Sequence, residues 1–351
     1  VTGGAAAAMG AGGADGTGGP GSAGSACGTD GRSGRGGVGT SGNATATHPD
    51  AALTPAPAPT PTPALLSRLS LNQETVRQWS LPELVDGCAR AGVRGVGLWR
   101  APVRQYGVAA AARLVRDAGI AVTSLCRGGF FTAEEPGERR AALVDNRAAI
   151  EEAAVLGTAT LVLVSGGLPP GSRDLAGARE RIADALAELA PYAAERGVRL
   201  ALEPLHPMYA ADRCVVSTLA QALDLAERFP ADQVGVVVDT YHLWWDDTVD
   251  AQIARAGGTG GTGGVGGAGG AASRLAAFQL ADWITPLPAG VLLGRGQLGD
   301  GSVDLRWFRQ QVDATGYRGP IEVEIFNPAL WARDGTEVLT EVVQRFATHV
   351  C

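Results

Sequence analysis

The chain is poor in the residues on which several function classes depend. Its five cysteines lie at 27, 88, 126, 214 and 351, an odd and scattered set without Cys-x-x-Cys spacing. Such a set points to neither a disulfide framework nor a thiolate metal site, and it reads as reduced thiols in a cytoplasmic protein. Basic residues are scarce: 29 Lys and Arg stand against 36 Asp and Glu, a net charge of −7. A nucleic-acid binder needs a basic face, so no nucleic-acid partner is expected. No apolar run approaches the roughly 20 residues of a membrane helix, so no membrane partner is expected either. The Ala run near the start is too short and weakly apolar for a signal peptide, and no basic segment precedes it. A Walker-type phosphate loop is also absent. Large apolar side chains are almost missing from residues 1–64, which pass from Gly/Ala/Ser-rich sequence into PDAALTPAPAPTPTPA. Such a segment cannot bury enough surface to offset its conformational entropy, so 1–64 is expected to be a disordered tail.

Residues 65–351 have the opposite character. Short β-like runs alternate with longer amphipathic helical patterns, the order expected of a parallel sheet wrapped by helices. The strands are RLSLNQETV, GVGLWR, IAVTSLCRGGFF, TLVLVSG, RLALEPL, VGVVVDTYH, AAFQLADW and PIEVEIF. Helices fall around LPELVDGCARAG, VAAAARLVRDAG, Glu138–Leu156, Leu175–Glu195, TLAQALDLAERF and DAQIARAG, and a last one runs to the C-terminus. Ser80 is placed to cap the first helix and Gly92 to end it. This alternation predicts a single α/β domain folded as a (β/α)8 TIM barrel; a doubly wound open sheet is the alternative. The Gly-rich tract at 257–272 is expected to be a flexible insertion at the bottom of the barrel.

What the second half does contain is a recurrent oxygen-bearing residue at strand ends. Glu203 closes RLALE, Asp239 closes VGVVVD, Gln279 lies in AAFQL and Glu324 in IEVE. In a (β/α)8 barrel the C-terminal strand ends converge to build the active site. A buried carboxylate is costly unless paired or bound to a cation, so three aimed at one point imply a divalent metal.

The motifs LEPLH, VVDTYHLWWD, FQLADW followed by LLGRGQLGDGSVDL, and EVEIF, in that order, resemble the sugar phosphate isomerase/epimerase family. Its members have the xylose isomerase-like barrel and include ketose 3-epimerases, hydroxypyruvate isomerase, inosose dehydratase and endonuclease IV. The likeness covers residues 68–347. It implies that Glu203, Asp239, Gln279 and Glu324 bind one divalent metal. Gln279 departs from the commoner histidine, which leaves an all-oxygen donor set and favours Mg²⁺ or Mn²⁺ over Zn²⁺. The alternative for Gln279 is an amide that hydrogen-bonds a neighbour. His242 and Arg295 resemble family residues that contact substrate oxygens; the alternatives are a structural histidine and a solvated loop arginine. His206 in EPLHP and Asp282 in FQLADW are weaker substrate-binding candidates. Trp244, Trp245 and Trp283 read mainly as loop packing, while Asn72, Trp99 and Arg127 close the first three strands, where substrate shape is usually read. Asp304 is placed near the start of a helix.

The resemblance implies an isomerase or epimerase acting on a small sugar, sugar phosphate or keto-polyol. Glu203 and Glu324 would be the acid/base pair that moves a proton through an enediolate. Two alternatives stand beside it: an inosose-dehydratase-like lyase, with His242 or His206 as acid, and a non-catalytic sugar-binding barrel. An endonuclease-IV-like site needs several zinc ions and clustered histidines, and this chain has four histidines, of which His48 and His349 lie away from the strand ends. A homo-oligomer is compatible with all of these readings.

Overall fold

The computed structural model describes residues 62–258, 272–287 and 291–351. Eight parallel strands close into a barrel. They are β1 (Leu69–Asn72), β2 (Gly95–Trp99), β3 (Ala121–Gly129), β4 (Thr160–Val164), β5 (Arg199–Leu202), β6 (Val234–Asp239), β7 (Leu275–Leu280) and β10 (Ile321–Val323). Each pairs with its chain neighbour, and β10 closes on β1 through Leu69, Ser70 and Leu71 opposite Ile321, Glu322 and Val323. The expected (β/α)8 barrel is therefore the observed fold, and the open sheet is not. Between β7 and β10 a short antiparallel pair, β8 (Asp282–Trp283) and β9 (Arg295–Gly296), stands outside the barrel sheet.

Local chemistry explains the helix boundaries. Leu81–Ala91 starts at Ser80, whose hydroxyl accepts from the Glu83 amide while Glu83 accepts from the Ser80 amide, and it stops at Gly92 with φ 75°. Only glycine takes that left-handed turn without strain. Where one helix was expected after β2 there are two, Arg100–Tyr106 and Val108–Asp117, broken at Gly107 with φ 96°. Asp304 caps the helix Leu305–Ala314 through the Trp307 amide, as placed from sequence.

Of the tail expected over 1–64, residues 1–61 lie outside the described residues, and Pro63–Leu66 forms a helical turn with Leu66 buried. Of the glycine tract, Gly257 and Gly258 end the helix Val249–Ala256, and 259–271 lie outside the described residues. Among the described residues no helix is long and apolar enough to cross a membrane.

Strand alternation sends one face to the helices and the other into the barrel. The inner face is narrow: Cys126, Val162, Ala201, Val237 and Ala277 form their own small cluster, separate from the large core under the helices. The next inward positions up β5, β6 and β7 are Glu203, Asp239 and Gln279, which puts polar groups directly on top of that apolar plug.

Candidate active site

Four strand ends deliver four polar side chains to one buried region. Glu203, Asp239, Gln279 and Glu324 are each no more than 6% exposed. Asp239 and Gln279 are register partners across β6 and β7. Glu324 extends β10, and its amide donates to the Leu280 carbonyl at the end of β7 (2.9 Å).

Arg295 of β9 reaches into this group. Its Nη1 donates to Glu324 Oε2 (2.9 Å) and lies 3.5 Å from Asp239 Oδ2. Its Nη2 faces His242 Nε2 at 3.2 Å. The guanidinium is stacked between the rings of Tyr241 and Phe326, 4.8 and 4.7 Å from their centroids. His242 also brings an imidazole nitrogen to the acids: ligand atoms of Glu203, Asp239 and His242 all lie within 4.8 Å of one another. The arginine and histidine predicted to meet substrate thus stand among the candidate metal ligands themselves.

Three buried carboxylates face one buried arginine, and their protonation shows the strain. Burial, then Glu324 and Asp239, push the Glu203 carboxyl well above the usual range. Burial takes Glu324 to about 8, with Arg295 holding it down from higher still. Asp239 is raised by burial, and Arg295 and the Tyr241 amide oppose the shift. Burial and then the Arg295 charge drive His242 far down, so its imidazole is neutral. Its Nδ1 accepts from the His206 amide (3.3 Å).

The donor set fits a divalent cation. The crowding of three buried carboxyls is one sign, since a cation would offset the cost of ionising them. A second is Gln279: its Nε2 donates to Glu322 Oε1 (3.0 Å), whereas its buried Oε1 has no hydrogen-bond partner among the described residues. An orphaned amide oxygen beside carboxylates is what a hard cation would take up.

Other expected residues hold different posts. Both oxygens of Asp282 are occupied by backbone: Trp283 and Val303 amides on Oδ1, Gly299 and Gly301 amides on Oδ2. It organises the loop beyond β9. His206 accepts from the Met208 amide through Nδ1 and packs against Trp283 and Trp245. Trp245 donates to the His242 carbonyl (2.7 Å), and Trp283 packs on Tyr241 and Trp244. Asn72 bridges two acids, its Nδ2 donating to Glu322 (2.7 Å) and Glu324 (2.9 Å), while Trp99 Nε1 donates to its oxygen. The Arg127 guanidinium lies over the Phe130 ring at 4.2 Å and makes no hydrogen bond among the described residues, while the Arg127 carbonyl accepts from Arg100 Nη1 (3.3 Å). Burial, compounded by the charge of Arg213, lowers the pKa of the Arg127 guanidinium.

Sequence reading missed Glu322 and Arg213. Glu322 lies two residues before Glu324 in a strand, hence on the same face, and that period-2 spacing was the available signal. Arg213 sits in the irregular stretch between β5 and β6 and carries no such signal.

The xylose isomerase-like TIM barrel family matches residues 85–342. The chain belongs to that family. This xylose isomerase-like barrel is 31% identical over 254 residues to a 3-dehydroshikimate dehydratase of Pseudomonas aeruginosa, covering 71% of the chain and 36% of the dehydratase. It is 25% identical over 157 residues to an inosose isomerase of Halalkalibacterium halodurans, covering 44% of the chain and 49% of the isomerase. A solved structure of a Sinorhizobium meliloti protein superposes with a TM-score of 0.75 at 42% identity, covering 81% of this chain and 99% of that one. The barrel thus spans between about a third and a half of the length of these curated relatives.

Proposed function

We propose that the chain is a divalent-metal-dependent enzyme that takes a proton from the carbon beside a ketone in a small, hydroxylated, anionic substrate, and then eliminates the β-hydroxyl as water. The observation that carries this is the pair Glu203 and Glu324 on the buried strand ends either side of Asp239 and Gln279, with the oxygen of Gln279 unpartnered among the described residues. Glu203, Asp239, Gln279 and Glu324 would hold the cation, and His242 is within reach of the same point. When bound, the cation supplies Lewis-acid polarisation of the substrate carbonyl.

The chain's own groups do the rest. One glutamate accepts the α-proton, and the C–H electron pair moves into the enolate. The enolate then re-forms the carbonyl conjugated to a new C=C bond as the β C–O bond breaks, and the departing hydroxyl takes a proton from an acid and leaves as water. Neutral His242 orients substrate hydroxyls. Arg295, charged and fixed by two aromatic faces, holds Glu324 and keeps a buried Nε–H without an acceptor among the described residues. The chain has no lysine, so the Schiff-base route to the same dehydration is closed to it.

Arg127 favours an acid over a neutral sugar. Its guanidinium is half-buried, makes no hydrogen bond among the described residues and feels the charge of Arg213 as well as that of Glu203, which leaves it free to take up a carboxylate. The likeness to a dehydratase of 3-dehydroshikimate, a cyclic keto acid, supports the same class. The second reading is the aldose-ketose isomerisation or epimerisation expected from sequence, in which the second glutamate returns the proton to carbon. The same two glutamates and the inosose isomerase likeness support it.

The test uses protein stripped with EDTA and reloaded with Mn²⁺ or Mg²⁺, given 3-dehydroshikimate, inosose and keto-sugars in D₂O. Metal-dependent loss of water from the keto acid supports dehydration. Deuterium entry into a sugar without loss of water turns the assignment to isomerase or epimerase. Metal-independent turnover, or none with any substrate, overturns it.

A further inference from the structure

Glu322 occupies a place where the barrel otherwise puts small apolar side chains. Two residues before the strand-end donor, β5 has Ala201, β6 has Val237 and β7 has Ala277, all in the apolar plug. β10 has a carboxylate there, 3% exposed. Among the described residues no arginine hydrogen-bonds it. Its four partners are neutral: Oε1 accepts from Asn72 (2.7 Å) and Gln279 (3.0 Å), and Oε2 accepts from Thr123 (2.9 Å) and Ser124 (2.8 Å). β2 leaves room for it, because a Cβ on Gly97 would overlap its carboxylate. An acid is costly to bury unless both its oxygens are hydrogen-bonded, as they are here. What the acid does there is visible in its partners.

Resting on the metal reading above, we propose that Glu322 is the positioning residue of the metal centre, setting which end of the Gln279 amide faces the cation. An amide can turn either way, and one orientation would present NH₂ to a cation and lose a ligand. A fixed acceptor on the Glu322 side takes the NH₂ and leaves Oε1 as the end that can coordinate. The same oxygen holds the Asn72 amide so that its second N–H meets Glu324 Oε1, which orients a second ligand. Outer partners of this kind act through the ligands they orient.

The experiment is Mn²⁺ titration calorimetry of EDTA-stripped wild type, E322M, E322Q and the double variant E322M/Q279E, with thermal unfolding of each metal-free form. Met fills the volume but gives Gln279 and Asn72 no comparable acceptor. E322M should fold but unfold lower than wild type, because buried donors lose their acceptor, and it should bind Mn²⁺ about 10–100-fold more weakly, the usual loss for such a partner. E322Q should keep most of the affinity, since its one carbonyl can stay at the Oε1 position while the Thr123 and Ser124 hydroxyls rotate to accept its NH₂. E322M/Q279E should recover affinity, because a carboxylate presents an oxygen whichever way it turns. If E322M does not fold, E322V, which copies the residue of β6, takes its place. Equal losses in E322M and E322Q would mean that charge matters and orientation does not, and would overturn the proposal. So would full affinity in E322M. A wild type that binds no divalent cation removes the metal reading itself, and the positioning role with it.

Discussion

Among single residues, the site is a set of acids whose cost of burial is offset only in part. Arg295 serves Glu324 and Asp239, and Glu203 has no cation of its own among the hydrogen bonds described. If Glu203 and Glu324 are acid and base, Glu203→Gln and Glu324→Gln should each cut turnover by about two orders of magnitude or more while metal binding weakens less. Solvent-proton exchange into substrate, followed separately in each variant, checks this; exchange that persists without net conversion identifies the residue of the later step. Full activity in both variants would make the pair structural. Gln279→His should shift metal preference toward Zn²⁺ or Co²⁺, since imidazole suits the later transition metals better than an amide oxygen does. Unchanged selectivity in competitive titration would place position 279 outside the coordination sphere. Gln279 could be named from sequence because it ends an apolar strand, but its orientation could not, because the partner that orients it is on another strand.

The elements that matter most are β10 and the β8–β9 pair. Sequence alternation in IEVEIF marks two faces without saying which points inward. Closure of the barrel decides that Glu322 and Glu324 share the interior. The β8–β9 pair brings Arg295 to Asp239, 56 residues earlier, and to Glu324, a contact between segments that no local pattern reports. Asp282 anchors the loop beyond it, taking four backbone amides. Asp282→Asn puts an NH₂ against two of those donors and should loosen the loop, at a cost of about 1–3 kcal/mol for buried donors left unpaired. Faster hydrogen exchange at the Gly299, Gly301 and Val303 amides, with the barrel strands still protected, is the expected result. Unchanged protection there would show that other contacts hold the loop.

For the whole molecule, the acid cluster ties stability to pH and to the cation. The Glu324 carboxyl is raised from about 4.5 to about 8, and Glu203 and Asp239 move in the same direction. Between those limits the folded chain holds protons that the unfolded chain has released, so stability falls as pH rises. Without metal, the melting temperature of wild type should drop from pH 5 to pH 8 by more than that of Glu324→Gln, which has no proton to lose at that position. Saturating Mn²⁺ should raise the wild-type melting temperature more at pH 8 than at pH 5, because the cation replaces the protons. Calorimetric scans with EDTA and with Mn²⁺ test this, and equal pH slopes in the two proteins would refute it. Sequence alone determined the strand and helix order, the capping of Leu81–Ala91 and Leu305–Ala314, and the polar residue at each of four strand ends. Those features follow from local periodicity and from turn chemistry, which neighbouring residues carry by themselves. Tertiary structure decided the rest: that His242 joins the acids, that Asp282 turns its carboxylate to a loop, and that Glu322 lies beneath Gln279. Each depends on which inward positions meet when eight strands close, and that is settled by register and packing between segments far apart in the chain.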